Sequence, residues 1–215
     1  MHPEALTSEL KKLWPRVKNF KDFTLVGGTA LALQIGHRVS VDFDYFTKKE
    51  LPTSLPQRIR RTFKGFPVKI VLRSKNQINA SVGGVTITFF SYPFSVFQRR
   101  LVWEAVKILP ISTIAVMKAY ALGRRATYKD YIDLYFILRE KHTSLPAITK
   151  TAKRIYGDEF GARLFLEQLV YLKDVREVPI RFLKKSVTKT EIETFFHKEV
   201  GKMQSQGPPK KKGGR

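Results

Sequence analysis

The stretch Leu25-Val26-Gly27-Gly28-Thr29-Ala30-Leu31-Ala32-Leu33-Gln34-Ile35-Gly36, continued by His37-Arg38-Val39-Ser40-Val41-Asp42-Phe43-Asp44-Tyr45-Phe46, decides the fold. Phe23 to Val26 is a short apolar run of strand type. Gly27-Gly28 turns the chain, Thr29 to Ile35 reads as a helix, and Gly36 stops it. Val39 to Phe46 reads as a second strand, with Val41, Phe43 and Tyr45 on one face. Asp42 and Asp44 then share the opposite face.

Working outward, residues 3–18 have apolar residues at helical spacing (Leu6, Leu10, Leu13, Val17). Leu51 to Phe63 reads as a basic helix, and Val68–Leu72, Ile78–Val82 and Val85–Phe90 as strands. Gly83-Gly84 marks a hairpin between the last two. Val106 to Leu109 is a further short strand. From Ser112, a candidate N-cap, the chain becomes helical, with helices expected to Leu122 and over 128–139, 144–156, 162–172 and 189–203. The fold class is α+β (mixed α/β): a small mixed-sheet core, residues 1–110, followed by a C-terminal helical bundle, residues 111–203. Residues 204–215, which include Lys210-Lys211-Lys212, read as a disordered basic tail.

Composition bounds the function. Lys and Arg total 40 against 18 acids, a net charge of +22, which favours polyanionic partners and nucleic acid first. There is no cysteine, so disulfides, thiolate metal sites and a cysteine nucleophile are excluded. No apolar run approaches the ~20 residues that span a bilayer, so the expectation is a cytoplasmic protein with no membrane partner.

Two carboxylates on one strand face repel unless a cation lies between them. Oxygen ligands suit Mg²⁺ (or Mn²⁺), which completes its shell with water and phosphate oxygens. Asp42 and Asp44 are the candidate metal ligands. Gly27 and Gly28 let backbone N–H groups approach a phosphate at a helix N-terminus, and Thr29 adds a hydroxyl. Arg38 and Ser40 either hold phosphate oxygens or brace the loop. In the second half, Lys118 interrupts an apolar helix (Ile114, Ala115, Val116, Met117, Ala119) and needs an anion. Asp130 and Asp133 share one helical face and can pair with Lys129, Arg124 or Arg125.

Residues 25–46 resemble the first motif of the AbiEii/AbiGii toxin-type nucleotidyltransferase family, within the DNA polymerase β-like nucleotidyltransferase superfamily. Lys118, Arg125, Lys129, Asp130 and Asp133 resemble its second signature. The resemblance implies a catalytic set of Asp42, Asp44, Asp133 and Lys118, and a nucleotide-binding set of Gly27, Gly28, Thr29, Arg38, Ser40 and Lys118. It leaves Arg124, Arg125, Lys129 and Asp130 as an acceptor-facing surface. It further implies transfer of a nucleoside monophosphate from a nucleoside triphosphate to a hydroxyl of RNA, tRNA first, by the toxin of a toxin–antitoxin or phage-defence pair with a neighbouring antitoxin. One departure stands out: the strand Gly84 to Phe90 has no acid where many polymerase β-like enzymes place a third carboxylate. A non-catalytic nucleic-acid-binding protein on such a scaffold, and an enzyme that nucleotidylates protein, are the alternatives.

Overall fold

The computed structural model describes residues 1–205. They form two compact units. The first comprises Met1–Ile114 together with Pro179–Ser186, and the second Ala115–Val178 together with the chain from Val187 onward. The segment 179–186, expected within the helical half, thus belongs to the first unit. The expected basic tail lies outside the described residues from 206 onward, while Gln204 and Ser205 end a helix.

The first unit is built on a mixed sheet of β1 (Thr24–Val26), β2 (Asp42–Thr47), β3 (Val68–Arg73), β4 (Gln77–Val82), β5 (Val85–Ser91), β6 (Leu101–Trp103) and β7 (Val106–Ile108). The strand order is β3-β4-β5-β2-β1-β7-β6. β2 pairs antiparallel with β1 and parallel with β5, placing it mid-sheet. Its inward residues Phe43 and Tyr45 are buried, and the core beneath is aromatic. Phe89 lies 4.7 Å from Phe20, 5.0 Å from Phe23 and 5.8 Å from Tyr45, ring centre to centre. Such offset and edge contacts each add about 0.5–1.5 kcal/mol beyond area burial.

Three local expectations are corrected. The helix read over 3–18 is a short 3₁₀ turn, Pro3–Ala5, then α1, Ser8–Val17. The break comes because the Thr7 hydroxyl caps α1 by accepting from the Leu10 N–H at 3.3 Å, while extended Leu6 bridges to Ser40. Val41 does not join Phe43 in the core but is 52% exposed. The backbone before Asp42 is held outside the sheet, Val39 donating to the Arg181 carbonyl and Ser40 to the Ala5 carbonyl, both at 2.8 Å. β6 was not anticipated. It returns through Glu104 and Ala105, both at positive φ (46° and 66°), a two-residue turn that lacks the usual Asn-Gly signature.

The chain leaves β1 directly into α2 (Gly27–Ile35), and α3 (Leu55–Thr62) follows β2. α4 (Ile111–Leu122) starts one residue before the expected Ser112 cap, because the Pro110 carbonyl already accepts from Thr113 and Ile114. The second unit continues with α5 (Tyr128–Arg139), α6 (Leu145–Tyr156), α7 (Ala162–Val170) and α8 (Lys189–Ser205). α5 is its centre: Tyr128 and every residue from Asp130 to Leu138 are buried. Among the described residues, no helix is long and apolar enough to cross a membrane.

Candidate active site

The two expected carboxylates lie side by side on one face of β2, both half-buried, opposite the aromatic core. Antiparallel pairing sets Val26, the last residue of β1, against Asp44. The next residue, Gly27, has φ +68°, a left-handed geometry that glycine adopts without strain. A Cβ there would lie 2.5 Å from Asp44 Oδ2, so the turn passes almost in contact with the carboxylate. α2 begins at this turn with no side-chain cap at its N-terminus. Its first N–H groups and positive dipole end therefore offer themselves to an anion beside Asp42 and Asp44.

Thr29, Arg38 and Ser40 have other work than a surface site would give them. All three are buried, at 0%, 3% and 2% exposure. Thr29 Oγ1 lies 2.5 Å from the Asp42 carbonyl oxygen, 2.7 Å from Ser40 Oγ and 3.4 Å from Asp42 Oδ1. A hydroxyl has one proton: Thr29 donates to the Asp42 carbonyl and accepts from Ser40. Arg38 Nη1 donates to the Val39 carbonyl at 3.3 Å, and its Nη2 occupies the space a Cβ on Gly28 would need. Of the two roles open to Arg38 and Ser40, the geometry favours bracing the loop. The turn and the carboxylate strand are thus held in register from beneath.

The parallel register adds residues that the sequence reading left out. Asp42 pairs with Thr86 and Asp44 with Thr88, and on the next strand Thr88 pairs with Asn79. Paired residues share a face, so Asp44, Thr88 and Asn79 form a row across three strands. The position beside Asp44 that could hold a third carboxylate is a threonine. The alternation Thr86-Ile87-Thr88 was the available signal, but it becomes informative only once β5 is known to flank β2. Among the described residues, no three His, Asp or Glu side chains cluster as a metal cage. Two hard carboxylates beside an uncapped helix N-terminus nevertheless fit a divalent ion of the Mg²⁺ type, which takes its remaining ligands from water and phosphate.

In the second unit, Lys118 is buried and meets both aspartates. Its Nζ lies 2.8 Å from Asp130 Oδ1 and 2.6 Å from Asp133 Oδ2. The Thr127 hydroxyl donates to Asp130 Oδ2 at 2.5 Å. Asp130 and Asp133 therefore pair with Lys118, across from α5, where the sequence reading offered Lys129, Arg124 or Arg125. Asp133 has no exposed surface, whereas Arg124 and Arg125 are exposed. Of the set expected to face an acceptor, Asp130 is instead an internal partner, and Lys129 is half-buried.

A family model described as the AbiEii nucleotidyl transferase toxin, from a type IV toxin–antitoxin system, matches residues 10–212. The chain belongs to the AbiEii nucleotidyltransferase family. As an AbiEii-family member it is a nucleotidyltransferase. It is 32% identical over 181 residues to an uncharacterized protein of Aquifex aeolicus (strain VF5), covering 83% of this chain and 86% of that one. Among solved structures, the fold is similar to MenT4, the nucleotidyltransferase toxin Rv2826c of Mycobacterium tuberculosis H37Rv. The TM-score is 0.59 and the identity 14%, over 86% of this chain and 76% of that chain. It is also similar to a provisionally assigned nucleotidyltransferase of H. pylori, with TM-score 0.56 and 18% identity, over 94% and 97% of the two chains. At these identities the two structural likenesses are of fold.

Proposed function

We propose that this AbiEii-family chain moves a nucleoside monophosphate from a nucleoside triphosphate to a hydroxyl of RNA, with tRNA the first acceptor to test. We assign it the toxin's place beside an antitoxin partner. The observation that supports the reading is the close approach of the Gly27 turn to Asp44, beside an uncapped helix N-terminus suited to an anion. The N–H groups opening α2 bind the triphosphate, and Asp42 and Asp44 would hold Mg²⁺ or Mn²⁺. That ion, when bound, offsets charge on the transferring phosphoryl and leaving pyrophosphate. The acceptor oxygen bonds to the α-phosphorus as the α–β phosphoanhydride breaks, pyrophosphate leaving and the hydroxyl proton passing to water. Thr29, Ser40 and Arg38 hold the two halves of the site in place. Within the second unit, Asp133 serves as the positioning partner of Lys118, since a carboxylate engaged at 2.6 Å and fully buried is poorly placed as a base. The +22 charge supports a polyanionic acceptor.

The test mixes purified protein with each α-labelled triphosphate, Mg²⁺ and total tRNA. Label should move to tRNA and fail to move with Asp42→Asn. No transfer, or equal transfer by the variant, overturns the reading. Label that stays with protein after nuclease treatment identifies a protein acceptor instead. A second reading, nucleic-acid binding without catalysis, is favoured by the neutral Thr88 beside Asp44. It predicts salt-sensitive RNA binding that Asp42→Asn leaves intact, with no dependence on triphosphate.

A further inference from the structure

Within the second unit, a cavity of about 290 Å³ lies between the end of α4 and the start of α7. Tyr120, at its wall, is covered on both faces. Tyr156 stacks on one at 3.9 Å with an 18° interplanar angle. The Arg124 guanidinium carbon lies over the other at 3.6 Å. The result is a column, Tyr156–Tyr120–Arg124, whose last member is a half-exposed guanidinium lining the cavity. Guanidinium planes stack on nucleobases as they do on aromatic rings. The column is fixed by Glu159: its Oε2 accepts from the Tyr120 hydroxyl at 2.8 Å and lies 3.6 Å from Arg124 Nη2, while its carbonyl accepts from Arg124 at 3.0 Å.

Three further features describe the occupant. Phe160 and Phe165 are buried on the apolar side, and Leu164 is 48% exposed at the rim. An exposed carboxylate, Glu159, lines the same space and accepts N–H donors. Gly161, also in the lining, is the N-cap of α7, and no side chain caps that helix, so its first N–H groups can receive a phosphate. A flat ring with N–H donors, attached to a phosphate, matches all three. Guanine presents two adjacent donors, N1–H and N2–H, to one carboxylate. Exposed Arg125, next in sequence to Arg124, adds positive charge for a polynucleotide strand.

We infer that this cavity binds an unpaired base of the acceptor RNA, guanine before the others, stacked on Arg124 and read by Glu159. The inference rests on the proposed RNA acceptor, but it concerns binding and needs no turnover.

The experiment measures fluorescence anisotropy of the full chain, without triphosphate or Mg²⁺, against two labelled single-stranded pentamers, UUGUU and UUUUU, and against labelled GMP. The guanine pentamer should bind about tenfold or more tighter than the uridine one, the scale of a hydrogen bond to a charged group. Glu159→Gln should bring the two affinities together. Leu164→Trp, which fills the rim from an exposed position, should weaken the guanine pentamer to the level of the uridine one. Crosslinking of a 6-thioguanosine pentamer should map to Arg124 or Leu164. Equal binding of the two pentamers, or a preference that survives both Glu159→Gln and Leu164→Trp, overturns the inference. GMP binding as tightly as the guanine pentamer, with the same sensitivity to the variants, overturns the RNA assignment in favour of a free nucleotide. Loss of tRNA labelling in the transfer assay, with the pentamer preference intact, would count against the proposed reaction and leave this site standing.

Discussion

Replacing Gly27 by alanine separates the two demands that the turn meets. The first demand is conformational. Gly27 has φ +68°, where an L-residue costs about 1–2 kcal/mol. The second is spatial. The new Cβ would fall 2.5 Å from Asp44 Oδ2, so the carboxylate must retreat roughly 0.9 Å to reach ordinary contact at 3.4 Å. Displacements near 1 Å in a reacting site cost about 10²-fold in rate. Gly65 supplies the control: its φ is +95°, yet nothing lies within 4 Å of an added Cβ. Gly27→Ala and Gly65→Ala should therefore lose comparable stability in thermal melts. Only Gly27→Ala should lose about 10²-fold in label transfer from triphosphate to tRNA. If Gly27→Ala keeps full transfer while melting like Gly65→Ala, the placement of Asp44 is not what the turn controls, and the active-site geometry argued above is wrong.

Other outcomes follow from the core and from the buried charges. Lys118→Met leaves Asp130 and Asp133 buried without their ammonium and should cost about 3–5 kcal/mol in urea unfolding, with part recovered by adding Asp133→Asn. The Tyr45 hydroxyl is buried with no hydrogen-bond partner among the described residues, so Tyr45→Phe should raise stability by about 1 kcal/mol; a clear loss would reveal a partner for it. Ala105→Gly relieves a left-handed position in the β6–β7 turn and should raise the melting temperature by a few degrees, the scale of about 1 kcal/mol. Burial pushes the Tyr131 phenol up to about 12 from an ordinary 10.0. Below pH 10 the phenol is protonated whether the chain is folded or not, and contributes no pH dependence. Above pH 10 the unfolded chain ionises first, so stability should fall as pH rises toward 12, and Tyr131→Phe should make that limb shallower in pH-dependent unfolding.

The strand–turn–helix–strand unit at the site was legible because each boundary has its own chemical mark: Gly27 and Gly28 at the turn, Gly36 at the helix end, and period-two burial through Phe43 and Tyr45. The helices of the second half were legible for a related reason, since capped or glycine-ended amphipathic runs such as Leu145–Tyr156 carry their limits locally. What escaped depends on partners distant in sequence. Val41 alternates correctly for a strand, but the backbone before it pairs with residues 5, 6 and 181 in place of a ladder. The neutral Thr88 is read as Asp44's neighbour only through a parallel pairing that skips two strands of sequence. Lys118 announced a need for an anion, but nothing local distinguished a bound phosphate from its own Asp130 and Asp133.

The eight residues Pro179–Ser186 carry a consequence in time. They return to the first unit after most of the helical unit, and there Arg181 and Phe182 grip the backbone at Val39 and Arg38, just ahead of Asp42. A nascent chain emerging from the ribosome therefore makes β2 early and lacks the clasp ahead of that strand until residues 179–186 have been synthesised. Prematurely terminated products would carry Asp42 and Asp44 without the clasp. If the proposed toxin activity is correct, dependence on this segment would restrict it to chains extended past residue 186.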